Sequence, residues 1–138
     1  GLAGLRIGFG VCSSTELRQA LDRTRTPFNI NSLAQIAAKV ALDHEDYMLN
    51  SVQQTILQRE HLAKELRSRG YQVGESLGNF LFINANRSSA KFAEELLKLG
   101  TIVKPWPQPG YDTFLRVSIG TPAENEKFLV DLAQVEAS

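Results

Sequence analysis

The sequence is poor in the residues that build small-protein staples. Its 138 residues include one cysteine, Cys12, so an internal disulfide is impossible and a cysteine-only zinc site is excluded. Only two histidines, His44 and His61, are present, seventeen positions apart, and they are too few for a confident metal site. Charge of one sign is lacking as well. Fifteen Lys+Arg balance fifteen Asp+Glu, which argues against a nucleic-acid binder with its basic face. No apolar run approaches the roughly 18 residues of a membrane-spanning helix, and no segment is polar or repetitive enough to stay disordered. These absences describe a soluble domain from a reducing compartment. With 43% hydrophobic residues the chain can build its own core.

Four of the ten glycines fall in the first ten residues, and the only methionine is Met48. No basic stretch, apolar stretch and small-residue cleavage site follow one another at the start, so a secretory signal is not expected. We read the opening as the interior of a longer chain.

Ile7-Gly8-Phe9-Gly10-Val11-Cys12 reads as a short buried strand. Ser13 and Glu16 have capping-box spacing and open a helix bearing Leu17, Ala20 and Leu21, which ends near Arg25 because Pro27 follows. Ser32 and Gln35 repeat the spacing ahead of Leu33, Ile36, Ala37, Val40 and Ala41. After the polar break His44-Glu45-Asp46, a helical pattern runs from Tyr47 to Arg69 and stops at Gly70, a left-handed cap. At about 1.5 Å per residue it reaches about 35 Å, the length of a helix that bridges two bodies.

Beyond Gly70 short strands alternate with helices: strands over 71–75, 79–84, 101–105 and 114–120, a helix from Ser88 or Ser89 to Gly100, and a Pro-rich loop over 106–112. Thr121-Pro122-Ala123-Glu124 combines an N-cap, a proline at the first helical position and a capping-box glutamate. The last helix places Phe128, Leu129, Leu132 and Val135 inward. No internal repeat is present. The fold class is α+β (α/β).

Arg116 is the most informative residue. Alternation along Phe114-Leu115-Arg116-Val117-Ser118-Ile119 puts Leu115, Val117 and Ile119 on one face and Arg116 with Ser118 on the other. An arginine in mid-strand is either an anion clamp, a solvent-side residue of a half-exposed sheet, or the partner of an internal carboxylate. Arg6, among glycines, reads equally as a phosphate ligand or a surface arginine; Gly8 and Gly10 make no dinucleotide fingerprint because position 13 is Ser13. Asn79 alone reads as a turn residue, and Asn29 and Asn31 as loop and capping residues. Trp106 and Tyr111 either line a pocket or pack the loop down. Cys12 reads as a small core residue, and the histidines receive no role.

The combination goes further. The segment Gly1-Leu2-Ala3-Gly4-Leu5-Arg6-Ile7-Gly8 resembles the stretch that follows the cofactor lysine in fold type I pyridoxal-phosphate aminotransferases. Residues 26–35, Gly78-Asn79-Phe80-Leu81-Phe82, Val103-Lys104-Pro105 and 114–125 resemble their counterparts in the histidinol-phosphate branch, in the same order.

The resemblance implies that residues 1–45 are the tail of the large cofactor domain, 46–70 a connecting helix, and 71–138 the small α+β domain. It implies that Arg6 holds the phosphate of pyridoxal 5'-phosphate, that Arg116 clamps the substrate anion, and that Asn79 lies near that clamp. The implied substrates are a phosphorylated amino compound, L-histidinol phosphate, and the 2-oxoglutarate/glutamate pair, handled by a cytoplasmic homodimer with no nucleic-acid or membrane partner. The Schiff-base lysine of the family would lie three residues before Gly1, and no lysine here matches it. The 138 residues alone are therefore expected to be inactive. Threonine-phosphate decarboxylase or an aromatic aminotransferase shares much of this framework. A non-catalytic α+β ligand-binding domain is the alternative from another class.

Overall fold

The computed structural model describes residues 2–137. Two compact units are present, residues 1–50 and 51–138. Gly1, which opens the Gly-rich motif, lies outside the described residues.

In the first unit a single 3-10 turn, Ala3–Leu5, ends at Arg6 in the left-handed region at φ 56°. The strand expected over 7–12 does not form. Phe9 is 84% exposed and Val11 91%, because a strand exists only through its ladder partners and none stands beside this segment among the described residues. Helix α1 (Thr15–Thr24) is capped by Ser14, whose Oγ accepts from the Leu17 N–H at 3.1 Å. The cap thus falls one residue later than expected. Helix α2 (Ser32–Asp43) is likewise capped one residue from expectation, this time earlier. Asn31 Oδ1 accepts from the Ala34 N–H at 2.8 Å, while Gln35 donates to the Ile30 carbonyl. The apolar rows are where the periodicity predicts, yet Leu17, Leu21, Leu33, Ile36 and Val40 are all exposed, and Ala34 alone is fully buried. The expected break narrows to His44, which closes α2, and helix α3 (Glu45–Ser68) starts at once with two acids in its first turn. Acids there complement the helix dipole.

The second unit takes in the rest of α3, strands β1 (Gln72–Val73), β2 (Phe80–Asn84), β3 (Lys104–Pro105) and β4 (Phe114–Ser118), and helices α4 (Ser89–Lys98) and α5 (Pro122–Glu136). The sheet has order β1-β2-β4-β3 with every neighbouring pair antiparallel. Alternation gives it one apolar face: Leu81 and Ile83 of β2 and Leu115 and Val117 of β4 join Leu62 and Leu66 of α3, Phe92 and Leu96 of α4, and Phe128, Leu129, Leu132 and Val135 of α5 in one core. Burying such side chains is worth about 1.5–3 kcal/mol each.

Gly70 and Gly100 end α3 and α4 in the same way. Each has φ above 80°, and the next residue's N–H reaches back to the last turn, Tyr71 to the Leu66 carbonyl and Thr101 to the Leu96 carbonyl. Helix α5 carries the expected capping box, with Thr121 Oγ1 accepting from the Glu124 N–H and Glu124 Oε2 accepting from the Thr121 N–H at 2.7 Å. Thr121 Oγ1 also donates to Oε2 at 2.8 Å, and the backbone and hydroxyl bonds from Thr121 to this oxygen hold the Glu124 carboxyl below the usual carboxylate range.

Candidate functional site

The sheet face turned away from the core carries the chemistry. Register places Phe82, Arg116 and Lys104 side by side across β2, β4 and β3. Arg116 is half-buried, its guanidinium 5.5 Å from the Phe80 ring centre, and its Nε is buried with no hydrogen-bond partner. None of the ion pairs among the described residues involves Arg116 or Lys104. Among the described residues Arg116 therefore has no carboxylate partner, and its buried Nε is left as a donor without an acceptor. A buried donor left unpaired costs about 1–3 kcal/mol, more when charged, and an external anion would remove that cost.

Aromatic rings pave the same face. Phe82 stacks on Phe114 at 5.0 Å and meets Trp106 edge-on at 5.6 Å, while Tyr111 touches Phe114 at 5.3 Å. Trp106 and Tyr111 thus fasten the Pro-rich loop down. In doing so they bring Trp106 beneath Lys104, whose Nζ lies 5.7 Å from the ring centre.

The end of β4 is fixed by Asn125, which is buried in α5. Its side chain exchanges bonds with both the N–H and the carbonyl of Gly120, at 3.0 and 3.1 Å, and donates to Gln58 of α3 at 3.0 Å. Gly120 is required by space. A Cβ there would lie 2.9 Å from both Glu124 Cβ and Oε2.

The other expected residues fall as follows. Arg6 is exposed in the first unit, donating from Nη1 to its own turn at the Ala3 carbonyl, 3.0 Å away. Asn79 sits just before β2; its carbonyl accepts from the Ile119 N–H at 2.8 Å, and no bond joins its exposed amide to Arg116. It is Phe80, not Asn79, that the register sets on the arginine face. His44 and His61 are exposed and Cys12 is half-buried. Among the described residues no cluster of His, Cys, Asp or Glu could hold a metal, and no helix is long and apolar enough to cross a membrane.

Two cavities lie elsewhere. One of about 480 Å³ is lined by Thr101, Ile102, Val103, Ile119 and Phe128, and one of about 270 Å³ by Arg69, Tyr71, Asn86, Arg87 and Glu136. Neither touches Arg116.

Comparison with known proteins decides the family. The model of the class I and II aminotransferases matches residues 1–132. The chain belongs to that family.

Within it, this aminotransferase chain is 50% identical over 135 residues to histidinol-phosphate aminotransferase 1 of Mesorhizobium japonicum, covering 98% of this chain and 37% of that protein. It is 47% identical over 137 residues to histidinol-phosphate aminotransferase 3 of Rhizobium meliloti, covering 99% of this chain and again 37% of the relative. In structure it resembles the histidinol-phosphate aminotransferase of Clostridium acetobutylicum, with a TM-score of 0.88 and 28% identity over 99% of this chain and 42% of that one. The chain thus spans little more than a third of the curated relatives it matches. The resemblance noted from the motifs, and the α+β class, are both borne out.

Two residues of this chain escaped sequence reasoning. Lys104 stood in a quoted motif without a role, since a two-residue edge strand is too short for alternation to assign a face. Asn125 likewise closed the 114–125 motif without a role.

Proposed function

We propose that these residues form the substrate-anion arm of a pyridoxal-phosphate-dependent histidinol-phosphate aminotransferase. The reaction moves the amino group of L-histidinol phosphate to 2-oxoglutarate, giving imidazole-acetol phosphate and glutamate. The observation that carries the reading is the buried, unpartnered Nε of Arg116 beside a second cation, Lys104. A guanidinium fork suits a carboxylate and a phosphate alike, so one arginine serves both half-reactions. The identity to histidinol-phosphate aminotransferases supports phosphate-bearing substrates over the decarboxylase and aromatic-aminotransferase alternatives.

The cofactor itself does not find a full site here. Arg6 has free donors for one phosphate contact, but a Cβ built on Gly4, Gly8 or Gly10 meets nothing within 4 Å, so no cradle closes around that phosphate in these residues. No lysine or acid matches the groups that hold the ring. We therefore assign this chain substrate binding and no step of the transfer, and we expect no transamination from these 138 residues alone. Residues 1–45, 46–70 and 71–138 are the large-domain tail, connecting helix and small domain of this reading. The exposed apolar rows of α1 and α2 suit burial in a cytoplasmic homodimer.

The test uses the single tryptophan, which stands at the site. Fluorescence of Trp106 should change saturably with L-histidinol phosphate, and 2-oxoglutarate should compete. Arg116→Gln should abolish the response. An unchanged response in that variant would contradict the assignment.

A further inference from the structure

Lys104 and Arg116 are direct cross-strand partners. Two like charges placed so are mutually destabilising, and a lysine on an edge strand has the rotamer freedom to swing away. Something must hold the ammonium beside the guanidinium when no anion is bound.

Each cation has its own ring. Phe80 lies under Arg116 at 5.5 Å, and Trp106, two residues along from Lys104 on the same face, lies 5.7 Å from its Nζ. The negative face of an indole is the strongest of the aromatic partners for a cation. Trp106 is itself anchored to the sheet. Its N–H backbone donates to the Phe114 carbonyl at 2.9 Å, extending a strand pairing of only two residues, and its ring abuts Phe82 at 80° while Phe82 stacks on Phe114.

We propose that Trp106 is a positioning residue: its ring face holds Lys104 beside Arg116 so that the pair prefers a doubly charged phosphomonoester over a singly charged carboxylate. This rests on the anion-site reading above and adds to it the source of selectivity. A carboxylate is satisfied by the arginine fork alone. A phosphomonoester carries nearly two charges at neutral pH and a third oxygen, so only it gains fully from the second cation.

The experiment is an NMR titration of the chain with methyl phosphate and, separately, with acetate, following backbone amides of β4. Trp106→Leu keeps an apolar side chain without a π face, and Trp106→Phe keeps a ring. The expected result is a fall of about two- to fivefold in the phosphate-over-acetate preference for Trp106→Leu, with Trp106→Phe close to the parent. Lys104→Met should lose the same preference, and adding Trp106→Leu to it should lose no more. Equal losses in the Leu and Phe variants, or none in either, would overturn the proposal, since packing alone would then explain Trp106. If Arg116→Gln leaves methyl phosphate binding intact, the anion-site reading fails instead, and the two failures are distinct.

Discussion

Replacing Asn125 by alanine should destabilise the second unit. The side chain is 4% exposed and makes three hydrogen bonds, two to Gly120 and one to Gln58. Alanine leaves the Gly120 N–H and carbonyl and the Gln58 amide without those partners. Gly120 is half-exposed, so water recovers part of the loss. Taking about 1 kcal/mol for each Gly120 group and about 1 kcal/mol for lost packing gives roughly 2–3 kcal/mol. For a unit of about 60–100 residues that lowers the melting temperature by about 10–20 °C. Thermal unfolding followed by far-ultraviolet circular dichroism and by Trp106 fluorescence reads it directly. Asn125→Asp should be no better at neutral pH, because a carboxylate would then face the Gly120 carbonyl with no proton to donate. A fall of less than about 3 °C for the alanine variant would refute the view that this joint fixes the end of β4.

Other outcomes follow from the same unit. Asp131 is buried, accepts from Lys127 and from Thr101, and is held below its ordinary value of 3.8 chiefly by the Lys127 bond. Its contribution is complete above 3.8 and is lost as the pH falls through the lowered value, so urea midpoints should drop on acidification and Asp131→Asn should flatten that slope. Tyr71 is pushed up to about 12 by burial and by its bond to Glu136. One of the three tyrosines should therefore ionise late in an ultraviolet titration. The stability it confers is present below 10.0 and lost as the pH rises through about 12, and Tyr71→Phe should remove that step. Leu66→Ala, at a fully buried α3 position, should cost about 2–5 kcal/mol in chemical denaturation.

What the sequence reveals depends on how far each determinant reaches. The Thr121–Glu124 box and the stops at Gly70 and Gly100 are legible because their partners lie within one helical turn. The first cap falls on Ser14 and not Ser13, and the second on Asn31 and not its equally capping-competent neighbour Ser32. Which one takes the cap is settled by the backbone angles. Residues 7–12 have the composition of a strand but no partner, and pairing is what sequence composition does not encode. Arg116 shows itself as a charge breaking an apolar alternation. Its state, a buried Nε facing no acid, depends on β2 and β3 and is visible only in the fold. Lys104 becomes a second cation only through β3–β4 register. The role of Asn125 is not legible because its bonds to Gly120 and to Gln58, 67 positions away, form only in the folded unit.

The central claim, that the Arg116–Lys104 face receives the substrate's anion, is tested most directly at the Arg116 Nε–H. We expect its proton–nitrogen NMR signal to shift saturably as L-histidinol phosphate is added, while that of Arg18, whose side chain is 70% exposed, stays in place. A stationary Arg116 signal at substrate concentrations that saturate the Trp106 response would contradict the account.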